Sequence, residues 1–227
     1  MTGSRRFLRD NGLGLAFAGL FLLTLAGQAF AGHAQFDQEQ LASGLPGVSM
    51  TRYFTSASFV ADVAENWQSE YLQFLLYIFG TVWLIQRGSP ESKTPDKIGR
   101  ESDEDQLLGA HACDDSPGWA RAGGWRTAVY SRSLGLVMGA VFLLSWLAQS
   151  IAGWSAYDEQ QLGQLQKPLS WGEYVLASDF WNRTLQNWQS EMLAVGSFLV
   201  LAVYLRQRGS PESKPVGATH ASTGSEG

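Results

Sequence analysis

Two polar pairs recur in this chain at a spacing suited to proton or cation chemistry. Asn66 and Glu70 stand four residues apart, as do Asn187 and Glu191, and that spacing places each pair on one face of a helix. Two carboxylates held at one site repel each other, so one of them takes up a proton at a raised pKa. Glu70 and Glu191 would form such a pair if their segments pack side by side. The plainer expectation is that both lie near a membrane surface, favour the helix dipole and stay solvated. Gln28 and Gln149 add a polar amide to each of two otherwise apolar runs.

Most other chemistry is excluded by composition. The single cysteine, Cys113, rules out an intramolecular disulfide and any C-x-x-C redox or metal site. The three histidines, His33, His111 and His220, fall outside the apolar runs, so none is placed for bis-His haem ligation within a membrane bundle. The stretch His111 to Asp115 (HACDD) looks like a ligand cluster, but it lies in a polar linker and reads as solvated. No nucleophile–base pair, phosphate loop or HExxH motif is present. We therefore expect no enzyme activity, no cofactor and no metal. The net charge of −5, with no basic patch interleaved with aromatics, excludes nucleic acid as a partner.

The elements that must position these residues are apolar. The mean hydropathy of −0.09 hides four concentrated runs: Leu13 to Gly32, Tyr71 to Gln86, Leu134 to Gly153 and Met192 to Leu205. The first contains no formal charge, and its length at 1.5 Å per residue reaches the thickness of a hydrocarbon core. Arg5-Arg6, the apolar run and Ala29-Phe30-Ala31 also spell a cleavable secretory signal. The recurrence of the same element at 134–153 favours a retained span.

That recurrence extends across the chain. Shifting residues 13–93 by 121 positions lays them on 134–214 without a gap, with 31 of 81 positions identical. NWQSE at 66–70 returns at 187–191, and QRGSPESK at 86–93 returns at 207–214. Each unit holds two spans, so both copies insert the same way and the repeats are parallel. Thirteen of the 16 Lys and Arg residues fall in the N-terminal segment, the central segment and the tail, whereas the opposite loops hold only Arg52, Lys167 and Arg183. Both termini and the central segment are thus expected to be cytoplasmic.

The expected fold is an all-α membrane protein: four transmembrane helices from a tandem parallel duplication of a two-helix unit, forming a four-helix bundle with helical extensions on the outer side. Residues 1–93 form the first repeat, 94–128 a mostly disordered cytoplasmic linker, 129–214 the second repeat and 215–227 a disordered tail. A stripe of Gly14, Ala18, Phe21, Leu25, Gln28 and Gly32, repeated as Gly135, Gly139, Phe142, Trp146, Gln149 and Gly153, is expected to be the helix–helix interface, with Gln28 and Gln149 bonding across it. Ser58 and Ser178 are expected as N-caps of the second and fourth long helices. Gly88 and Gly209, each followed by a proline, are expected to terminate them. Trp67 and Trp188 would sit in the interfacial belt, and Asp37 and Asp158 read as solvated loop residues.

The NWQSE blocks with Leu72-Gln73, the QRGSPESK blocks and Asn11-Gly12-Leu13 resemble a family of uncharacterised bacterial integral membrane proteins catalogued as a domain of unknown function. The resemblance covers most of the chain outside linker and tail. It implies a bacterial inner-membrane location and no activity. In the second copy Met192 and Ala194 replace the aromatic and glutamine of the first, so any role there is not symmetric.

The function expected is a structural or interaction role in the envelope, with the lipid bilayer and a second copy or another membrane protein as partners. The alternative is a small transporter or channel component, with Gln28, Gln149, Glu70 and Glu191 lining a polar path between the repeats.

Overall fold

The computed structural model describes residues 3–224, which form nine α-helices and no strand. In chain order these are α1 (Gly3–Asp10), α2 (Gly12–Ala42), α3 (Met50–Phe54), α4 (Ala57–Trp83), α5 (Gly118–Arg121), α6 (Gly124–Tyr130), α7 (Ser133–Gly163), α8 (Trp171–Leu176) and α9 (Ser178–Tyr204). Among the described residues α2 and α7, each of 31 residues, are long and apolar enough to cross a membrane. Both are apolar on nearly every face, the pattern of a helix surrounded by apolar material. α4 and α9, each of 27 residues, begin polar and become apolar. The end carrying α3 and α8 is called here the hairpin end, and the end carrying residues 84–100 and 205–224 the tail end.

At the hairpin end the two halves of the chain use the same bonds 121 positions apart. Asp37 Oδ1 accepts from Val48 N at 2.8 Å, and Asp158 Oδ1 accepts from Leu169 N at 2.9 Å. Both aspartates therefore tie down loop backbone rather than facing solvent. Ser49 and Ser170 cap the short helices α3 and α8, the latter through a capping box with Glu173. Tyr53 and Tyr174 are buried, at 2% and 1% exposure, with their phenol oxygens over Gly32 and Gly153. A Cβ on Gly153 would stand 2.6 Å from the Tyr174 oxygen, and one on Gly32 would be closer still to Tyr53.

Helix boundaries differ from those expected. The cap of α4 is Ser56, whose side chain accepts from Phe59 N; Ser58 lies inside the helix. α9 has no side-chain cap, and Ser178 is its first residue. α4 and α9 stop at Trp83 and Tyr204, ahead of Gly88 and Gly209. The backbone N–H groups of Gln86 and Gln207 bond instead to Ser92 Oγ and Ser213 Oγ, both at 2.9 Å, and the Val82 carbonyl is taken by Gly99 N. Gly88 and Gly209, at φ +89° and +82°, make the turns that follow.

α4 and α7 lie against each other along much of their length, and α9 packs on α4. At the tail end the expected small-residue stripe is an interface in α7 only. Gly135 faces the Phe79 ring and Gly139 faces Leu75, while Gly14 has no neighbour within contact distance. The sequence explains this asymmetry: 121 positions after Leu75 and Phe79 stand Gly196 and Val200, so α9 lacks the knobs that fill the groove. Only 6% of the apolar window of α2 is buried, against 28% for α7.

The linker and tail carry local order. Residues 94–128 include short 3-10 turns at Pro95–Lys97 and Gly109–His111 as well as α5, and Trp119 meets Trp125 of α6 edge to face. The tail, expected to be disordered over 215–227, forms turns over 215–224; residues 225–227 lie outside the described residues. The Lys214 side chain, 1% exposed, anchors it. Its ammonium donates to the carbonyls of Gly88 (2.5 Å), Thr219 (3.2 Å), His220 (3.1 Å) and Ser222 (3.2 Å). Thr223 Oγ1 accepts from Gly88 N, and Gly224 N donates to Ser89 O, so the tail closes over the first half's QRGS turn.

Candidate functional site

The polar residues singled out by spacing do not assemble into one path. Gln149, 2% exposed, donates to Thr184 Oγ1 at 3.4 Å within its own half. Position 184 corresponds to Val63 in the first half, which offers Gln28 no hydroxyl. Gln28 instead lines an open cleft with Asn66, Trp67 and Glu70. The expected Gln28–Gln149 bond is therefore replaced by two separate environments. Glu70 is exposed, and its charge acts on Glu191 without a direct bond. Asn66 returns its side chain to the Asp62 carbonyl.

Asn187 does join the halves. Its amide donates to Glu65 Oε1 at 2.6 Å, beside an Arg183–Glu65 ion pair at 3.1 Å. One turn further, Trp188 Nε1 donates at 2.7 Å to Oε1 of the fully buried Gln68. Trp188 is thus half-buried against Phe142 and Trp146 rather than standing in an interfacial belt; Trp67 remains exposed.

Below that seam, toward the tail end, α4 and α9 part around a cavity of about 310 Å³. Its walls are Phe74, Ala194, Val195 and Phe198, and its polar groups are Gln73, Tyr77, Glu91 and Glu212. Glu91 and Glu212 occupy the same place in the two QRGSPESK blocks. The Ser92 and Ser213 bonds described above fold each block back, and the two carboxyls arrive at one spot between α4 and α9. The Tyr77 hydroxyl donates to Glu91 Oε2. Burial, then the neighbouring Glu212 carboxyl, raises the Glu91 carboxyl above its usual range, with the Tyr77 bond opposing. Gln73 Oε1 is buried without a donor.

The family model described as "Domain of unknown function (DUF6766)" matches residues 4–225. The chain belongs to that family. No curated protein and no solved structure matches it.

Besides Glu70 and Glu191 of the NWQSE blocks, the DUF6766 chain therefore carries a second carboxyl pair, at Glu91 and Glu212. The signal for it was present in the exact recurrence of QRGSPESK. What sequence spacing lacks is the hairpin-like return of each block, which turns a loop glutamate toward the bundle. Because the fold raises the Glu91 pKa, the protonated acid is favoured and its stabilisation is lost as pH rises through the folded-state value. Glu91→Gln is accordingly expected to flatten the fall in thermal stability between pH 5 and pH 8, with little effect at the acid end. Unfolding of the purified chain in detergent across that range checks this; parallel curves for parent and variant would refute it.

Proposed function

We propose that the chain is a four-span membrane protein formed by tandem duplication of a two-helix unit, with a structural or interaction role in a bacterial inner membrane. α4 and α9 supply the second and fourth spans beside α2 and α7, and the shared bonds at 37/48 and 158/169 support the duplication. Both termini and the central segment lie on the cytoplasmic side, as the lysine and arginine distribution indicates. The exposed apolar surface of α2 faces lipid, a second copy or another membrane protein.

The observation that carries a structural rather than a transport role is the seam between the halves. Trp188 bonds to Gln68 and Asn187 to Glu65 across it, while Gln28 and Gln149 lie in separate environments and form no common path. The natural Cys113, exposed in the linker, tests the topology. A membrane-impermeant maleimide is expected to label Cys113 in inverted membrane vesicles and to leave it unlabelled in intact spheroplasts; the opposite pattern overturns the orientation. Reconstituted chain is expected to leave a pH gradient across liposomes as stable as in protein-free liposomes, and rapid collapse of the gradient would restore the transport reading.

A further inference from the structure

The cavity between α4 and α9 has a chemistry that a purely structural seam does not require. Its polar wall is rich in acceptors. Gln73 Oε1 and Glu91 Oε1 are buried without a donor, Glu212 contributes a second carboxyl, and the Tyr77 hydroxyl is already spent on Glu91 Oε2. The rest of the wall is apolar and partly aromatic, from Phe74, Val195 and Phe198. A volume of about 310 Å³ falls at the small end of ligand pockets, which run from roughly 300 to 1,000 Å³.

We propose that this cavity binds a small organic cation, a protonated amine with an apolar body, through the Glu91–Glu212 carboxyl pair. An ammonium group brings three donors and no acceptor, which is what the unpaired oxygens lack. Its charge compensates the two carboxylates, and any proton that the raised Glu91 carboxyl holds leaves to solvent on binding. The aromatic rings suit the apolar body and offer their faces to the charge. A hard metal ion is less well served: calcium takes six to eight oxygen ligands and magnesium a full octahedron, whereas most of this wall is carbon. No group of three or more His, Cys, Asp or Glu residues suited to a metal exists among the described residues.

The test is calorimetric titration of the full chain in detergent with 2-phenylethylammonium, with 2-phenylethanol as the neutral isostere and sodium and potassium chloride as inorganic cations. The expected result is saturable binding of the ammonium that weakens at least tenfold in Glu91→Gln and in Glu212→Gln. Binding is also expected to weaken as pH falls and the raised Glu91 carboxyl takes up its proton, and the alcohol should not bind. Ala194→Phe, which fills the cavity without altering charge, must abolish binding even if the glutamate variants fail to fold. The proposal is overturned by absence of ammonium binding, by equal binding of the alcohol, by competition from sodium or potassium at equal concentration, or by unchanged affinity in Ala194→Phe. Neither the topology nor the bonded seam depends on the outcome, so failure here leaves the structural role standing.

Discussion

Lys214→Met is expected to destabilise the tail end by about 2–4 kcal/mol and to release residues 215–224 to protease. The substitution keeps most of the apolar stem of the side chain and removes its charge and all three donors. The carbonyls of Gly88, Thr219, His220 and Ser222 then lose the ammonium at their centre. A buried acceptor stripped of its donor costs about 1–3 kcal/mol, and four together would exceed that range. The tail can peel away and rehydrate, which caps the loss. The corresponding change in the first half, Lys93→Met, is expected to cost no more than about 1 kcal/mol. Lys93 makes one carbonyl contact, to Gly99, and an ion pair with Glu101 in which both side chains are partly exposed, and such surface pairs contribute little. Limited proteolysis of the two variants with C-terminal mass analysis separates them. Equal resistance of parent and Lys214→Met would show that the carbonyl ring does not hold the tail.

Gly153→Ala should be nearly as damaging, at about 3 kcal/mol, although alanine is the better helix former. The added Cβ would stand 2.6 Å from the phenol oxygen of Tyr174. That ring has no room to retreat, since it packs on Tyr157 and Phe180 at centroid distances of 5.5 and 5.7 Å, and overpacking of this kind typically costs about 1–3 kcal/mol. The decisive comparison is Gly153→Ala combined with Tyr174→Phe. Removing the hydroxyl removes the clash, and the only bond forfeited is a 3.4 Å contact to Asp179. The double variant should recover most of the lost stability in denaturant unfolding, so that the two changes are strongly non-additive. Simple additivity would mean that the hydroxyl is not the obstacle.

How much of this was legible in the sequence depended on the scale of the feature. The long helices follow from the apolar runs, and the matching Asp37–Val48 and Asp158–Leu169 bonds fall at positions that the ungapped repeat aligns. Local pairings followed less well. The stripe through Gly135 and Gly139 was correctly read as a packing face, but its copy through Gly14 was not, because the partner knobs Leu75 and Phe79 have no counterparts at Gly196 and Val200. Gln28 and Gln149 looked equivalent until their surroundings, Val63 and Thr184, set them apart. The N-cap of α4 lies two residues early, at Ser56, because two serines stand close enough in sequence to serve; the helix stop several residues early was hidden because Ser92 and Gly99, beyond the helix, supply the bonds there. The carboxyl pair was missed for a similar reason: periodicity points to residues inside helices, and Glu91 and Glu212 reach the cavity from loops.

The closure of the tail over Gly88 also constrains the order in which the molecule can mature. The two contacts to Gly88 in the first half's QRGS turn, from Lys214 and Thr223, come from residues separated from it by 126 and 135 positions. The Gly88 turn of the first half must therefore wait, with its backbone hydrated, until residues 214–223 have been made. Domain-by-domain maturation is thus unavailable to this end of the protein, and residues 214–223 act as its latch.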